Sequence, residues 1–90
     1  MNNKPLILVV EDDAAVRSLM AVTLDTHGYR YHLARNGAEA LIEASTQQPA
    51  VMLLDLGLPD MEGVDIIRKV RTWTGMPVIV ISARSEDADK

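Results

Sequence analysis

Leu6-Ile7-Leu8-Val9-Val10-Glu11-Asp12-Asp13 opens the chain with five consecutive aliphatic residues that stop at three acids. The run does not alternate with polar residues, so it reads as a strand buried on both faces. Two later runs have the same character: Val51–Leu54, which ends at Asp55, and residues 78–81, which end at Ser82. A fourth candidate strand, Arg30–Ala34, alternates and suits a sheet edge.

Helical spacing fills the gaps between these runs. Val16, Leu19, Met20 and Leu24 fall at i, i+3, i+4 and i+8, with Asp12 or Asp13 placed to cap the start and Gly28 just past the end. Asn36-Gly37-Ala38-Glu39 resembles a capping box, and the spacing puts Ala38, Leu41 and Ile42 on one face of a helix that stops before Pro49. A third helix is predicted over 63–72, with Ile66, Ile67 and Val70 inward and Arg68, Lys69 and Arg71 outward. Strand–helix alternation with short joints specifies right-handed βαβ units, hence an α/β fold with an open, doubly wound parallel sheet.

Composition narrows the function. Ninety residues make one small domain, 48% hydrophobic but only 3% aromatic, so the core is built from aliphatic side chains and Met. Met20 and Met52 occupy core-type positions. A net charge of −4 makes the chain a poor binder of phosphate backbones by itself. Zero cysteines exclude a disulfide framework and Cys-ligated metals and suit a reducing compartment. With no signal-type or membrane-spanning run, the expected location is the cytoplasm and no membrane partner is expected.

In open parallel sheets, ligands bind outside the carboxyl ends of the strands. There the predicted strands deliver Glu11, Asp12, Asp55 and Ser82. Carboxylates that close repel one another unless a cation joins them, and an all-oxygen donor set points to Mg²⁺. A carboxylate at a strand end can also act as a nucleophile toward a phosphoryl group, giving an aspartyl phosphate on Asp55 with Ser82 beside it. Each residue has a blander reading: a strand-end acid is commonly a turn former, and Asp13 is a helix cap. Asp60 and Glu62 read as solvating a loop, and His27 and His32 as surface residues. Trp73 reads as a cap over the third helix. It is the convergence of three strand ends on one edge that favours chemistry.

Val9-Val10-Glu11-Asp12-Asp13, then Leu53-Leu54-Asp55-Leu56-Gly57-Leu58-Pro59-Asp60, then Pro77-Val78-Ile79-Val80-Ile81-Ser82-Ala83 resemble a bacterial response-regulator receiver domain, which has a flavodoxin-like fold. Asp55 through Asp60, Trp73 and Ser82 through Glu86 further resemble the Kdp potassium-transport subfamily of transcriptional regulators. The resemblance implies that Asp55 is the phosphoacceptor for a sensor histidine kinase. It implies that Glu11 and Asp12 are the acidic pair with Asp12 a direct Mg²⁺ ligand, that the Gly57 backbone carbonyl completes the metal shell, and that Ser82 is the switch hydroxyl. Members of that subfamily contact DNA through a separate winged-helix domain.

The resemblance covers the whole chain, while the family domain continues with a fifth strand bearing a lysine and with a last helix. The expectation is therefore an incomplete receiver, residues 1–90 being its N-terminal portion. Residues 78–81 would form an edge strand that self-associates through that edge or through an uncovered sheet face. Other function classes fit less well. An aspartyl-nucleophile phosphatase needs an acid two residues after Asp55, where Gly57 stands. A nucleotide-binding loop needs glycines where Glu11-Asp12-Asp13 stand. The remaining alternative is a folded module that cannot be phosphorylated and serves only for structure or interaction.

Overall fold

The computed structural model describes residues 4–81, so the expectations placed on Ser82 and on residues 83–90 lie outside the described residues. The order of elements is β1 (Leu6–Val10), α1 (Ala14–Thr26), β2 (Arg30–Ala34), α2 (Gly37–Gln47), β3 (Val51–Leu54), α3 (Gly63–Val70) and β4 (Val78–Val80). The strands form one parallel sheet in the order β2-β1-β3-β4. The α/β doubly wound reading holds, and β2 is an edge as its alternation predicts.

The expectation of three strands buried on both faces holds only for β1, every residue of which is buried. In β3, Met52 and Leu54 are buried while Val51 and Leu53 are half-buried, and in β4 Ile79 and Val80 are exposed. The cause is helix placement. α2 and α3 pack together over one face, where Leu8, Val10, Ala34, Met52 and Leu54 meet Ala40, Ala44, Ile66 and Val70 in the main core. α1 lies on the opposite face against β1 and β2, and it has no buried residue of its own.

The inward face of α2 also differs from expectation. Ala38 and Ile42 are exposed, and the buried positions are Gly37, Ala40 and Ala44, with Leu41 half-buried. Small residues at i, i+3 and i+7 let the helix approach the sheet closely, and that shape outweighs the hydrophobicity of Ile42. The helix ends at Gln47, ahead of Pro49, and Gln48 closes it in the left-handed region at φ 50°. Met52 is fully buried as expected, Met20 only half-buried, and Met76 joins the core from the loop before β4.

Two helix starts are capped as the sequence specifies. Asp13 Oδ1 accepts from Ala15 N (2.9 Å) and Val16 N (3.2 Å), and Asn36 Oδ1 accepts from Glu39 N (2.9 Å). Glu39 completes a variant of the capping box by accepting from the Arg35 amide (3.0 Å) and pairing with the Arg35 guanidinium (2.8 Å). Asp60 does not merely solvate its loop. Its two carboxylate oxygens accept from Gly37 N (2.7 Å) and Ala38 N (2.9 Å), the first-turn amides of α2 that Asn36 leaves unsatisfied. Those backbone donors hold the Asp60 carboxyl below its ordinary range.

This packing can be tested at two points. Ile66→Ala, in the α2/α3 core, is expected to lower stability to urea by about 2–5 kcal/mol, whereas Leu19→Ala, at 65% exposure on α1, changes it by no more than about 0.5 kcal/mol. Asp60→Asn is expected to lower Tm at pH 7. Because the folded-state pKa is depressed, the carboxylate stabilises above its unfolded pKa and that contribution is lost as pH falls through the folded value. The Tm gap between wild type and Asp60→Asn should therefore begin to narrow below about pH 4 and keep narrowing as pH falls further; a gap unchanged at pH 3 contradicts the charged contact.

Candidate functional site

Backbone pairing brings the acids together. The hydrogen-bonded ladder runs one residue past the ends of β1 and β3: Glu11 N donates to Ala34 O (3.0 Å) and Asp55 N to Val10 O (3.0 Å). Val10 stands opposite Leu54 in the β1/β3 register, so the next residue on each strand is an acid, and the two are neighbours at the carboxyl edge. Glu11 is 5% exposed and Asp55 1%, while Asp12 is half-buried where the chain turns into α1. One carboxylate oxygen from each of the three lies within 4.8 Å of the others. Asp13 is exposed and caps α1, so of the three consecutive acids two line the site.

Local contacts hold the cluster's frame. Glu11 Oε2 accepts from Asp13 N (3.1 Å), tying the side chain to its own turn. Gly57 N donates to Asp55 Oδ1 (3.1 Å), which folds the β3–α3 loop back over the strand end. Arg17, on the first turns of α1, donates through Nη1 to the carbonyls of Glu11 (3.0 Å) and Asp12 (3.3 Å). Sequence patterning does not single out this arginine, because it lies off the apolar stripe of α1. It stands four residues after the Asp13 cap, one helical turn on, which places its long side chain beside the N-terminal turn.

The donor set fits a hard divalent cation. Buried like charges at this separation repel strongly in a low-dielectric setting, and all the ligand atoms offered are oxygens. The other residues singled out in the sequence lie elsewhere. His27 Nδ1 contacts Thr23 O (2.9 Å) on the surface, and His32 pairs with Glu43 (3.1 Å) between β2 and α2. Trp73, half exposed, borders a cleft of about 220 Å³ with Ala44, Gln48, Pro49, Thr74 and Met76 at the other end of the sheet. That cleft has no titratable lining residue. Arg71, exposed as expected, also donates to Met76 O (2.7 Å) and so ties down the turn before β4. No helix among the described residues is long and apolar enough to cross a membrane.

Comparisons with known proteins agree with this geometry. The chain is 45% identical over 84 residues to the KDP operon transcriptional regulatory protein KdpE of Escherichia coli K12, a match covering 93% of this chain and 37% of that protein. It is 43% identical over 81 residues to KdpE of Staphylococcus aureus, covering 90% of this chain and 35% of that protein. The chain thus spans a little over a third of the length of these relatives. Its fold superposes on the receiver domain of the Francisella response regulator 1452 with a TM-score of 0.84 at 27% identity, covering 90% of this chain and 68% of that one. CheY4 of Vibrio cholerae shares the fold at a TM-score of 0.83 and 24% identity, over 93% of this chain and 75% of that one. The family model described as the response regulator receiver domain matches residues 7–90. A parallel sheet whose carboxyl edge gathers Glu11, Asp12 and Asp55 is therefore the sheet of a receiver, and this chain belongs to the response regulator receiver domain family.

Proposed function

We propose that the chain is the phosphoacceptor unit of a two-component response regulator, with Asp55 taking a phosphoryl group from a phosphohistidine of a sensor histidine kinase. The observation that carries this is the clustering of three carboxylates, two of them buried, within 4.8 Å at the carboxyl edge of the sheet. An Asp55 oxygen attacks phosphorus, the N–P bond of the donor breaks, and its electron pair returns to the imidazole nitrogen. The ligands assigned to Mg²⁺ are Asp12, Asp55, the Gly57 carbonyl and, through water, Glu11. When bound, the ion neutralises charge on the transferring phosphoryl oxygens. The Gly57 amide, already bonded to Asp55 Oδ1, fixes the orientation of the nucleophilic carboxylate. Ser82 keeps the role of switch hydroxyl that the family pattern gives it.

The chain works as a switch, modified once per cycle, and not as a turnover enzyme. Transcriptional control belongs to the whole regulator, as the names of the KdpE relatives indicate, and DNA is contacted through a domain other than this one. The test is intact mass after incubation with Mg²⁺ and acetyl phosphate. A single phosphoryl adduct is expected, absent without Mg²⁺ and absent in Asp55→Asn. No adduct on a folded chain would favour the alternative reading of a module that serves only for structure or interaction.

Self-association is part of the same proposal. β4 is the sheet's edge among the described residues, and Ile79 and Val80 on it are 52% and 47% exposed. An apolar, β-branched edge offers unpaired backbone groups to a second copy. Light scattering of the 90-residue chain at micromolar concentration is expected to give a mass above that of a monomer, and Ile79→Lys to restore the monomer.

A further inference from the structure

We propose that Asp60 is a positioning residue for the metal site, acting by locking the β3–α3 loop to the first turn of α2. The proposal rests on the reading of Glu11, Asp12, Asp55 and the Gly57 carbonyl as the Mg²⁺ site. Gly57 is the one ligand in that set supplied by a loop backbone, so its place depends on how residues 55–62 are held.

The loop has three kinds of anchor. Its start is fixed by the Asp55 amide on Val10 O and by the Gly57 amide on Asp55 Oδ1. Its apolar side chains, Leu58 and Met61, are half-buried against the core, where side-chain packing tolerates sliding. Asp60 supplies the directional anchor, two short charge-assisted hydrogen bonds to Gly37 N (2.7 Å) and Ala38 N (2.9 Å) at the positive end of a helix. Two glycines admit this approach. A Cβ on Gly37 would collide with Met61 Cγ and lie 3.2 Å from Asp60 Oδ1. A Cβ on Gly63 would lie 3.0 Å from Leu56 Cα, so the loop backbone would have to shift to admit it. The loop is thus pressed between the starts of α2 and α3, and among the described residues Asp60 is the side chain that bonds it to α2. Partners that orient ligands from outside the metal shell set affinity as the ligands themselves do. Such coupling is reciprocal, so metal at the acidic edge and order at the α2 N-terminus must favour each other.

The experiment is a Mg²⁺ titration of the 90-residue chain, read by calorimetry and by amide resonances. In the wild type, the Gly37 and Ala38 amides are expected to respond to Mg²⁺ along with Gly57. Asp60→Asn keeps the size of the side chain but cannot accept from both amides. It should raise the Mg²⁺ dissociation constant about tenfold, at the low end for residues that orient metal ligands, and silence the Gly37 and Ala38 response while Gly57 still responds. Asn36→Ala separates this from general loosening, because it removes a cap from the same helix terminus without touching the loop. It should bind Mg²⁺ as the wild type does. Wild-type affinity in Asp60→Asn, or equal weakening in Asn36→Ala, overturns the positioning role. If Asp60→Asn does not fold, the wild-type titration decides, since silent Gly37 and Ala38 amides overturn the proposal. A wild type that binds no Mg²⁺ overturns the reading of the metal site itself, and this inference with it.

Discussion

The register between β1 and β3 is the constraint on which the rest depends. Val10 stands opposite Leu54, so the residues that follow, Glu11 and Asp55, leave the sheet side by side. Alternate residues of a strand face opposite sides, so a slip of one position would turn Leu8 and Val10 away from the α2/α3 core and separate the acids. Core and site thus share one specification. The hydrophobic pattern that buries Leu8, Val10, Met52 and Leu54 on a single face is the same pattern that holds two carboxylates together at its end.

That arrangement is costly in the absence of compensation. Carboxylates placed this close with almost no exposure gain little from water, and their mutual repulsion opposes folding. The surrounding structure offsets part of the cost with donors. The Asp13 amide serves Glu11 and the Gly57 amide serves Asp55, while the Arg17 guanidinium is drawn to the turn by the carbonyls of Glu11 and Asp12. Hydrogen bonds of this kind stiffen the turns and orient the carboxylates. Three carboxylate oxygens gathered at one point form a donor set that fits a hard divalent cation better than a neutral ligand.

How much of this is legible in the sequence follows from the range of the interactions. β1 and β3 are readable because an aliphatic run ending in an acid is a local signal, and β2 because it alternates; all three have the limits expected of them. The caps at Asp13 and Asn36 are readable for the same reason. The inward face of α2 is not, because hydrophobicity favours Ile42, whereas the contact selects for small size at Gly37, Ala40 and Ala44. Nor is the role of Asp60, whose partners lie 22 and 23 residues away and are backbone amides, which leave no mark in side-chain patterns. Arg17 escapes notice because its targets are carbonyl oxygens.

The two faces of the sheet divide the work unequally. The α2/α3 face holds nearly all the fully buried side chains and sets stability, and through Asp60 it also reaches the loop that returns to the site. The α1 face is thinner. Val9 is fully buried there, but Leu33 beside it on β2 and Ile79 two strands away on β4 are 38% and 52% exposed, and α1 itself leaves Leu19 and Val22 largely open. Yet α1 begins directly after the acids, and Arg17 fastens its first turns to them. Among the described residues α1 is thus tied to the acids at one end and contributes no buried residue, whereas α2 and α3 are held along the main core.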